Sequence, residues 1–194
     1  MNLPLRKPMT LAAFLEWENG QTARYEFDGV RPIAMTGGTA AHAAIQRNLA
    51  IAVGGRPRGR PCQFYGNDLK IEVRGGKIRY PDGFVVCPAV PRDGKVVRDP
   101  VVIFEILSEA TARTDLVTKN HECAATVSVR RYVVLSQSEI GGTVFERVEG
   151  DWVGHLLGAD SVLRMPEIGI ELALVELYEG IDLASGEEHH EASG

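Results

Sequence analysis

The spacing of hydrophobic positions along the chain predicts four helices. Residues 11–18 and about 40–53 carry apolar side chains three or four positions apart, which is the period of an amphipathic helix. Thr10 and Thr39 precede these segments and are predicted N-caps, because a hydroxyl oxygen can accept a hydrogen bond from a free N–H group there. The second helix would turn four residues toward the core: Ala41, Ile45, Leu49 and Ala52. Two further segments have a helical pattern: 108–126 and 171–180.

Short runs of β-branched and aromatic residues predict strands between the helices. The runs lie at residues 24–35, 62–73, 78–87, 101–107, 130–136 and 143–157. Asp28-Gly29 and Glu149-Gly150 divide two of them and predict hairpin turns, and Gly66-Asn67 predicts a bend in a third. The order strand, strand, helix, strand at the centre predicts an α+β fold, in which a mixed β-sheet core is flanked by helices.

Length and composition predict one domain over residues 1–180. The chain has 194 residues, of which 44% are hydrophobic and 24% are charged, and this is sufficient for a single hydrophobic core. Residues 181–194 are polar and have no hydrophobic period. We therefore expect them to form a disordered tail.

Two acidic residues interrupt otherwise apolar strands. Glu105 lies within the apolar run 101–107, and Asp82 follows Pro81 at the entrance of the preceding strand. If residues 88–100 join two neighbouring strands, the carboxylates could lie side by side, where they would repel each other unless a cation neutralised them. Carboxylate oxygens favour Mg²⁺ or Mn²⁺. The alternative is that Asp82 is a turn residue and that Glu105 pairs with an arginine.

The overall charge does not favour a nucleic-acid partner, although it does not exclude one. The net charge is −5, whereas proteins that bind nucleic acid through their whole surface are strongly basic. A basic groove can nevertheless lie on an acidic body. Arg56, Arg58 and Arg60 form the only compact basic cluster of the sequence, which could follow a phosphate backbone or belong to a solvated loop.

The cysteines and the absence of long apolar runs predict a soluble cytoplasmic protein. Cys62, Cys87 and Cys123 lie far apart in the sequence, without the CxxC spacing of a zinc ribbon, and this sparse set is typical of a reducing compartment. The N-terminal residues lack the apolar core of a signal peptide. We therefore expect no membrane partner, since no apolar run approaches the length of about 18–20 residues that spans a bilayer.

Three short motifs carry a resemblance to a known family. They are R-Y-P-D at 79–82, F-E-I-L-S at 104–108 and T-x-R-T-D-x-V-x-K at 111–119. In this order and spacing they resemble the PD-(D/E)XK nuclease superfamily, and most closely the Uma-two family of bacterial "putative restriction endonucleases". The resemblance implies a restriction-endonuclease-like mixed sheet whose acids bind a divalent metal ion and hydrolyse a phosphodiester.

The resemblance also implies roles for particular residues. Asp82, Glu105 and the main-chain carbonyl of Ile106 would bind Mg²⁺ or Mn²⁺. The lysine that the superfamily usually carries two positions after the second acid is replaced by Leu107, so Lys119 is the candidate for a lysine that has moved to the next helix. The alternatives are that Lys119 pairs with Asp115 on a solvated helix face, or that Lys70 is the catalytic lysine.

Two further residues match the family on earlier elements. Glu26 could add a ligand or orient a water molecule, or it could be a solvent-facing strand residue. His42 could contact a phosphate or transfer a proton, or it could be a partly buried helix residue. Cys123 and Ser136 stand where relatives usually carry a tyrosine and an acid. These two departures favour reduced activity.

The expected function is that of a Mg²⁺-dependent endonuclease acting on DNA. A homodimer is also expected, because two single-site subunits related by a two-fold axis can cut both strands of a duplex. A second hypothesis is a nuclease-fold protein with weak or no catalysis that acts as a binding or regulatory module. A third hypothesis is a metal-dependent hydrolase of a small phosphodiester.

Overall fold

Thirteen strands and three α-helices make up the described part of the chain. The structure is a computed structural model and describes residues 8–35, 37–56, 62–108, 112 and 114–183. The strands are β1 (Tyr25–Phe27), β2 (Pro32–Ala34), β3 (Gln63–Gly66), β4 (Lys70–Val73), β5 (Lys77–Arg79), β6 (Gly83–Val86), β7 (Val96–Val97), β8 (Pro100–Ile106), β9 (Arg131–Leu135), β10 (Gly142–Val148), β11 (Asp151–Leu157), β12 (Val162–Met165) and β13 (Ile170–Ala173).

The helices include two segments with the wider π-helical turn. The α-helices are α1 (Leu11–Glu18), α2 (Ala40–Leu49) and α3 (Asn120–Ala125). The π-helical segment Ala50–Gly54 continues α2, and the π-helical segment Thr114–Lys119 leads directly into α3. A 3₁₀ segment, Leu174–Tyr178, follows the last strand.

The strands pair in a central sheet of six strands and two smaller sheets. The central sheet has the order β11-β10-β9-β8-β6-β3 and is mixed, because β8 and β9 run parallel while its other pairs are antiparallel. A second sheet has the order β2-β1-β5-β4-β7, and β12 pairs with β13. This architecture confirms the predicted α+β class with a mixed sheet flanked by helices.

The first two helices begin where the sequence predicts. The Thr10 hydroxyl accepts a hydrogen bond from the N–H of Ala13 at 3.2 Å, and the Thr39 hydroxyl accepts one from the N–H of His42 at 3.1 Å. Each hydroxyl thus satisfies an N–H group that has no partner inside its helix. In the second helix, Ile45, Leu49 and Ala52 are buried as predicted, whereas Ala41 is half-buried at the helix entrance.

The central sheet separates two hydrophobic clusters by the alternation of its side chains. Val102, Phe104 and Ile106 of β8 face the cluster that contains Ile45 and Leu49 of α2. Ile103 of β8 and Phe84 and Val86 of β6 face the opposite cluster, which also contains Cys123 of α3. Glu105 has the parity of Ile103 and is directed to the side covered by α3, whereas Asp82 lies just before β6, at the end of that strand.

Two predicted elements differ from the structure. Residues 62–73 do contain two strands around a turn, but β3 belongs to the central sheet and β4 to the second sheet, so the turn passes between layers. The helix predicted over 171–180 is wrong for its first part. Ile170 and Leu172 are buried while Glu171 is exposed, and this alternation suits β13, which leaves only the 3₁₀ segment as helix.

The prediction of three widely separated, reduced cysteines is wrong for two of them. Cys62 and Cys87 form a disulfide in the structure, and Cys123 is free and buried. The reason is the pairing of β3 with β6, which places Gln63 opposite Val86 and therefore the two adjacent cysteines opposite each other. Their separation in sequence gave no indication of this, since β3 and β6 are neighbours only in the folded sheet.

Two predictions concern parts of the chain that the structure describes incompletely. Of the helix predicted over 108–126, residues 109–111 and 113 lie outside the described residues, and the remainder contains the π-helical segment and α3. Residues 184–194 of the predicted tail lie outside them as well. Among the described residues, the helices are too short and too polar to cross a membrane.

Candidate active site

Asp82 completes the end of the ladder between β6 and β8. The last pair at this end joins Gly83 to Phe104, and Asp82 Oδ2 accepts a hydrogen bond from the N–H of Ile106 at 2.7 Å. The carboxylate thereby satisfies an N–H group that β6 no longer reaches. This explains why an acid follows Pro81 at the entrance of an apolar strand.

Two residues of α2 hold the Asp82 carboxylate from the other side. Gln46 Nε2 donates to Asp82 Oδ1 at 3.1 Å, and His42 Nε2 lies 3.2 Å from Asp82 Oδ2. The hydrogen bond to Asp82 raises the pKa of His42 above its usual value; burial opposes this shift, and the charges of Asp82 and Asp115 add to it. His42 therefore lies against the acid that the sequence singled out and is half-buried there.

Glu105 is buried on the face of the central sheet that α3 covers. Its side chain is directed from β8 toward α3, and its Oε1 accepts a hydrogen bond from Lys119 Nζ at 2.9 Å. Burial raises the pKa of Glu105 well above its usual value, while the Lys119 ammonium opposes the shift and the negative charge of Asp82 adds to it. The electrostatic influence of Asp82 on Glu105 reflects their placement on neighbouring strands.

Lys119 lies between three carboxylates. Its Nζ is 2.9 Å from Glu105 Oε1, 3.0 Å from Asp115 Oδ1 and 3.4 Å from Glu26 Oε1. Burial alone would lower the pKa of Lys119, but the charges of these three carboxylates outweigh it and hold the pKa well above its usual value. Lys119 therefore pairs with Asp115, as one alternative held, and it also lies beside Glu105, as the other required. It is buried, however, so the predicted solvated helix face is wrong.

Glu26 joins this cluster from the second sheet. Its Oε1 accepts a hydrogen bond from the N–H of Tyr80 at 3.1 Å, and its Oε2 lies 3.6 Å from Nη1 of Arg79. Glu26 is buried, so the alternative of a solvent-facing residue is wrong. Arg79 is bound by both carboxylate oxygens of Glu122, at 2.8 and 2.7 Å, and forms a rigid support behind Glu26.

The other candidates named from the sequence lie away from the cluster. Lys70 is buried in an ion pair with Glu18, whose second oxygen accepts a hydrogen bond from the Tyr80 hydroxyl at 2.7 Å. Lys70 is therefore not placed to act with Asp82 and Glu105. Of the basic cluster, Arg56 pairs with Glu176 at 2.6 Å, and Arg58 and Arg60 lie outside the described residues.

Acidic groups outnumber basic groups in the cluster. Four acids surround two basic groups, Lys119 and His42, while Arg79 is already bound by Glu122; the acids are Glu26, Asp82, Glu105 and Asp115. In addition, Asp115 Oδ1 is buried without a hydrogen-bond partner among the described residues. A buried excess of hard oxygen ligands is the donor set that Mg²⁺ or Mn²⁺ requires.

The side-chain arrangement limits the composition of such a metal site. Within the described residues, no group of three or more His, Cys, Asp and Glu side chains is arranged to hold a metal ion. A set of two carboxylates, a main-chain carbonyl and water molecules meets this limit, and Mg²⁺ commonly keeps several of its water ligands. An ion held here would therefore be bound by few protein ligands.

Gln46 and Glu122 contribute to the cluster but were not identified from the sequence. Gln46 lies four residues after His42, so the two share one face of α2 and reach Asp82 together. That spacing was a usable signal. Glu122 gave no such signal, because its partner Arg79 belongs to the second sheet.

Ser136, one of the two departures from the family pattern, lies in the loop after β9, and its carbonyl accepts a hydrogen bond from the Tyr178 hydroxyl at 2.8 Å.

Comparison with known proteins agrees with the fold and assigns the family. The fold and its buried acids define the restriction-endonuclease-like class. The model of the Uma2 family, described as "Putative restriction endonuclease", matches residues 11–175, and the chain therefore belongs to the Uma2 family. The resemblance noted in the sequence is thus confirmed.

Two relatives cover nearly the whole chain. An uncharacterized protein of Synechocystis sp. is 27% identical over 173 residues, which is 87% of this chain and 90% of the relative. The crystal structure of a "putative nuclease belonging to DUF820" from Anabaena variabilis has a TM-score of 0.71 at 18% identity and covers 88% of this chain and 98% of its own. The structural similarity supports the fold.

Proposed function

We propose that this protein is a Mg²⁺- or Mn²⁺-dependent endonuclease that hydrolyses phosphodiester bonds in DNA. The observation that carries the proposal is the position of Asp82 and Glu105 at the adjoining ends of β6 and β8, with Lys119 bound to Glu105 and more acidic than basic groups around them. Membership of a family described as "Putative restriction endonuclease" supports the same reaction. In this proposal, Asp82 and Glu105 hold the ion.

The main-chain carbonyl of Ile106 is the third protein ligand that we propose. The N–H of Leu107 donates to the carbonyl of Leu135 in β9, whereas the N–H of Ile106 donates to Asp82 on the opposite side. The N–H and C=O groups of one strand residue point to the same side of the strand. The Ile106 carbonyl is therefore directed toward the end of β6, where Asp82 lies.

The remaining residues of the cluster would support hydrolysis in different ways. A divalent ion bound here would supply Lewis-acid polarisation of a phosphoryl oxygen and an activated water molecule. Lys119 would stabilise negative charge that develops on the phosphoryl oxygens, and Glu26 would hold the ammonium in position. His42 could accept or donate a proton beside Asp82, and Gln46 would fix the orientation of that carboxylate.

We further propose that the protein acts as a homodimer in the cytoplasm. Two copies related by a two-fold axis would present one site to each strand of a duplex. Sedimentation equilibrium at micromolar concentration should give twice the mass of one chain, and a mass of one chain at every concentration would contradict the dimer.

One observation favours a second function, a nuclease-fold binding module without catalysis. Each acid of the cluster already has a protein partner, since Lys119 holds Glu105 while His42, Gln46 and the Ile106 N–H hold Asp82. Acids that are paired in this way could serve to stabilise the fold alone, without binding a metal ion. The same cleavage assay separates the two functions.

The test of the proposed function is plasmid cleavage in the presence and absence of Mn²⁺ or Mg²⁺. Asp82→Asn is the sharpest variant, because the amide oxygen can still accept the hydrogen bond from Ile106 while the negative charge is lost. We expect metal-dependent nicking by the wild type, and loss of nicking in Asp82→Asn and Glu105→Gln. Asp151→Asn, at an exposed position of β11, is the control for removing an acid. Wild-type protein that binds DNA but never cleaves it would support the second function.

A further inference from the structure

We infer that Lys119 is a built-in cation that competes with the divalent ion for Glu105, and that Asp115 is the positioning residue that receives Lys119 when the ion takes Glu105. The inference rests on the proposed function. The Lys119 ammonium would have two positions: on Glu105 when no divalent ion is bound, and on Asp115 when the ion is bound. Divalent-ion affinity would then depend on where the Lys119 ammonium lies, in addition to depending on Asp82 and Glu105.

The contacts of Lys119 show that its ammonium has two alternative acceptors. It donates a hydrogen bond to Glu105 Oε1 at 2.9 Å. Asp115 Oδ1 lies at nearly the same distance, 3.0 Å, yet this buried oxygen accepts no hydrogen bond in the described part of the chain. A small rotation of the ammonium would therefore direct an N–H group to Asp115, because distance does not prevent this bond.

Charge neutralisation explains why both acceptors are needed. Without a divalent ion, the buried Glu105 requires the Lys119 ammonium, because an unpaired buried carboxylate is strongly unfavourable. When a divalent ion neutralises Glu105 and Asp82, the ammonium would be repelled from Glu105. Asp115 and Glu26 then retain it, at positions that already lie 3.0 and 3.4 Å from Nζ. The lysine thus stays buried and paired in both arrangements.

The backbone fixes Asp115 for this role. Asp115 and Lys119 both belong to the π-helical segment, and the main-chain carbonyl of Asp115 accepts a hydrogen bond from the buried Tyr132 hydroxyl at 3.1 Å. The Asp115 side chain is almost fully buried, so solvent does not compete for its oxygen. The acceptor is therefore held in place, and the flexible lysine is the group that moves.

Opposite effects of two substitutions on Mn²⁺ affinity distinguish this arrangement from a simple ion pair. Lys119→Gln removes the internal competitor, so the dissociation constant for Mn²⁺ should fall by about tenfold, which is the effect of roughly one favourable charge contact. Asp115→Asn keeps an acceptor oxygen but removes the negative charge that would hold the ammonium away from Glu105, so Lys119 stays on Glu105. The dissociation constant should therefore rise about fivefold.

The double variant is the decisive measurement. In Lys119→Gln, there is no lysine to reposition, so adding Asp115→Asn should change Mn²⁺ affinity by less than about twofold. Lys77→Gln is the charge-matched control, because Lys77 binds Glu122 and not Glu105. It should change the affinity by less than about twofold as well. All constants are measured by calorimetric titration of the full chain, and thermal melts confirm that each variant is folded.

Several outcomes would overturn the inference without affecting the proposed function. Mn²⁺ affinity that is unchanged or weaker in Lys119→Gln would do so, and so would a full fivefold effect of Asp115→Asn in the double variant. If Lys119→Gln fails to fold, Lys119→Met provides the same test with an apolar side chain. A wild-type protein that binds no Mn²⁺ and cleaves no DNA would instead overturn the proposed function, and this inference with it.

Discussion

Two buried lysines of this protein occupy clusters that differ in charge balance. Lys70 faces one carboxylate, Glu18, whose other oxygen is satisfied by the Tyr80 hydroxyl. Lys119 faces three carboxylates, with Asp82 and His42 close by. The first cluster is neutral and complete, as expected for a structural ion pair, whereas the second has more acidic than basic groups. The comparison shows that charge balance, more than burial, distinguishes a candidate active site.

The largest effect that we expect concerns the structural cluster. Lys70→Ala should lower the free energy of unfolding by about 3–5 kcal/mol, because it leaves the buried Glu18 carboxylate without its cation. Urea unfolding monitored by circular dichroism measures this change. Arg98→Ala provides the control, since Arg98 pairs with Glu72 on the surface and should contribute less than about 1 kcal/mol. Equal losses in the two variants would show that the Lys70 pair has no special role.

The next effect concerns the unbalanced cluster. Lys119→Ala should lower the rate of plasmid cleavage by about 10²–10³-fold, because Lys119 would act on charge that develops during hydrolysis. Its folded structure should remain, since the neighbouring carboxylates can be neutralised by the divalent ion. Lys70→Met is the matched variant and should keep the cleavage rate per folded molecule. A Lys119→Ala protein that cleaves at the wild-type rate would show that this lysine is structural as well.

The residues of these two clusters can be predicted from the sequence only where their contacts join residues or strands that are neighbours along the chain. The pairing of β6 with β8 brings Asp82 to the end of the ladder at which Glu105 lies, so the nearness of the two acids could be inferred once the two strands are taken as neighbours. The choice between Lys70 and Lys119 could not be made in this way. It depends on how the second sheet and α3 pack against the central sheet, and both contacts join residues far apart in the chain.

Several errors have the same physical origin. The Cys62–Cys87 disulfide follows from the pairing of β3 with β6, which no local pattern encodes. The helix predicted over 171–180 was wrong because a short apolar segment can satisfy either period, and pairing with β12 decided in favour of β13. By contrast, the caps at Thr10 and Thr39 were predicted correctly, because a cap involves only neighbouring residues.

A smaller effect is expected from the ion pairs that support the candidate site. Burial alone would raise the pKa of Glu122, but the hydrogen bonds and charges of Arg79 and Lys77 lower it below the usual 4.5. A pKa lowered by folding contributes stability that is fully present above pH 4.5 and is lost as the pH falls through the folded-state pKa.

This pH dependence can be assigned by comparison with a variant. We expect the free energy of unfolding of the wild type to fall below about pH 4.5 more steeply than that of Glu122→Gln, which cannot titrate at this position. Urea unfolding at a series of pH values measures both. Parallel curves for the two proteins would show that Glu122 does not contribute to the acid sensitivity.

The smallest effect concerns the N-terminal end of α1, away from Glu18 at the other end of this helix. Thr10→Ala removes the hydroxyl that accepts a hydrogen bond from Ala13, and it should lower the free energy of unfolding by about 1 kcal/mol. The cleavage rate per folded molecule should not change. Thr10→Ser keeps the hydroxyl and should restore most of the stability. A loss in Thr10→Ser as large as that in Thr10→Ala would show that the cap does not stabilise α1.

The central claim, that Asp82 and Glu105 together hold a divalent ion, is tested most directly by a crystal structure of the Mn²⁺-soaked protein. The anomalous signal of manganese locates the ion without assumptions about its ligands. We predict a peak in which carboxylate oxygens of both Asp82 and Glu105 lie about 2.0–2.6 Å from the ion, with Lys119 moved from Glu105 toward Asp115. A peak elsewhere on the molecule, with Lys119 still bound to Glu105 and neither acid near the metal, would contradict the account.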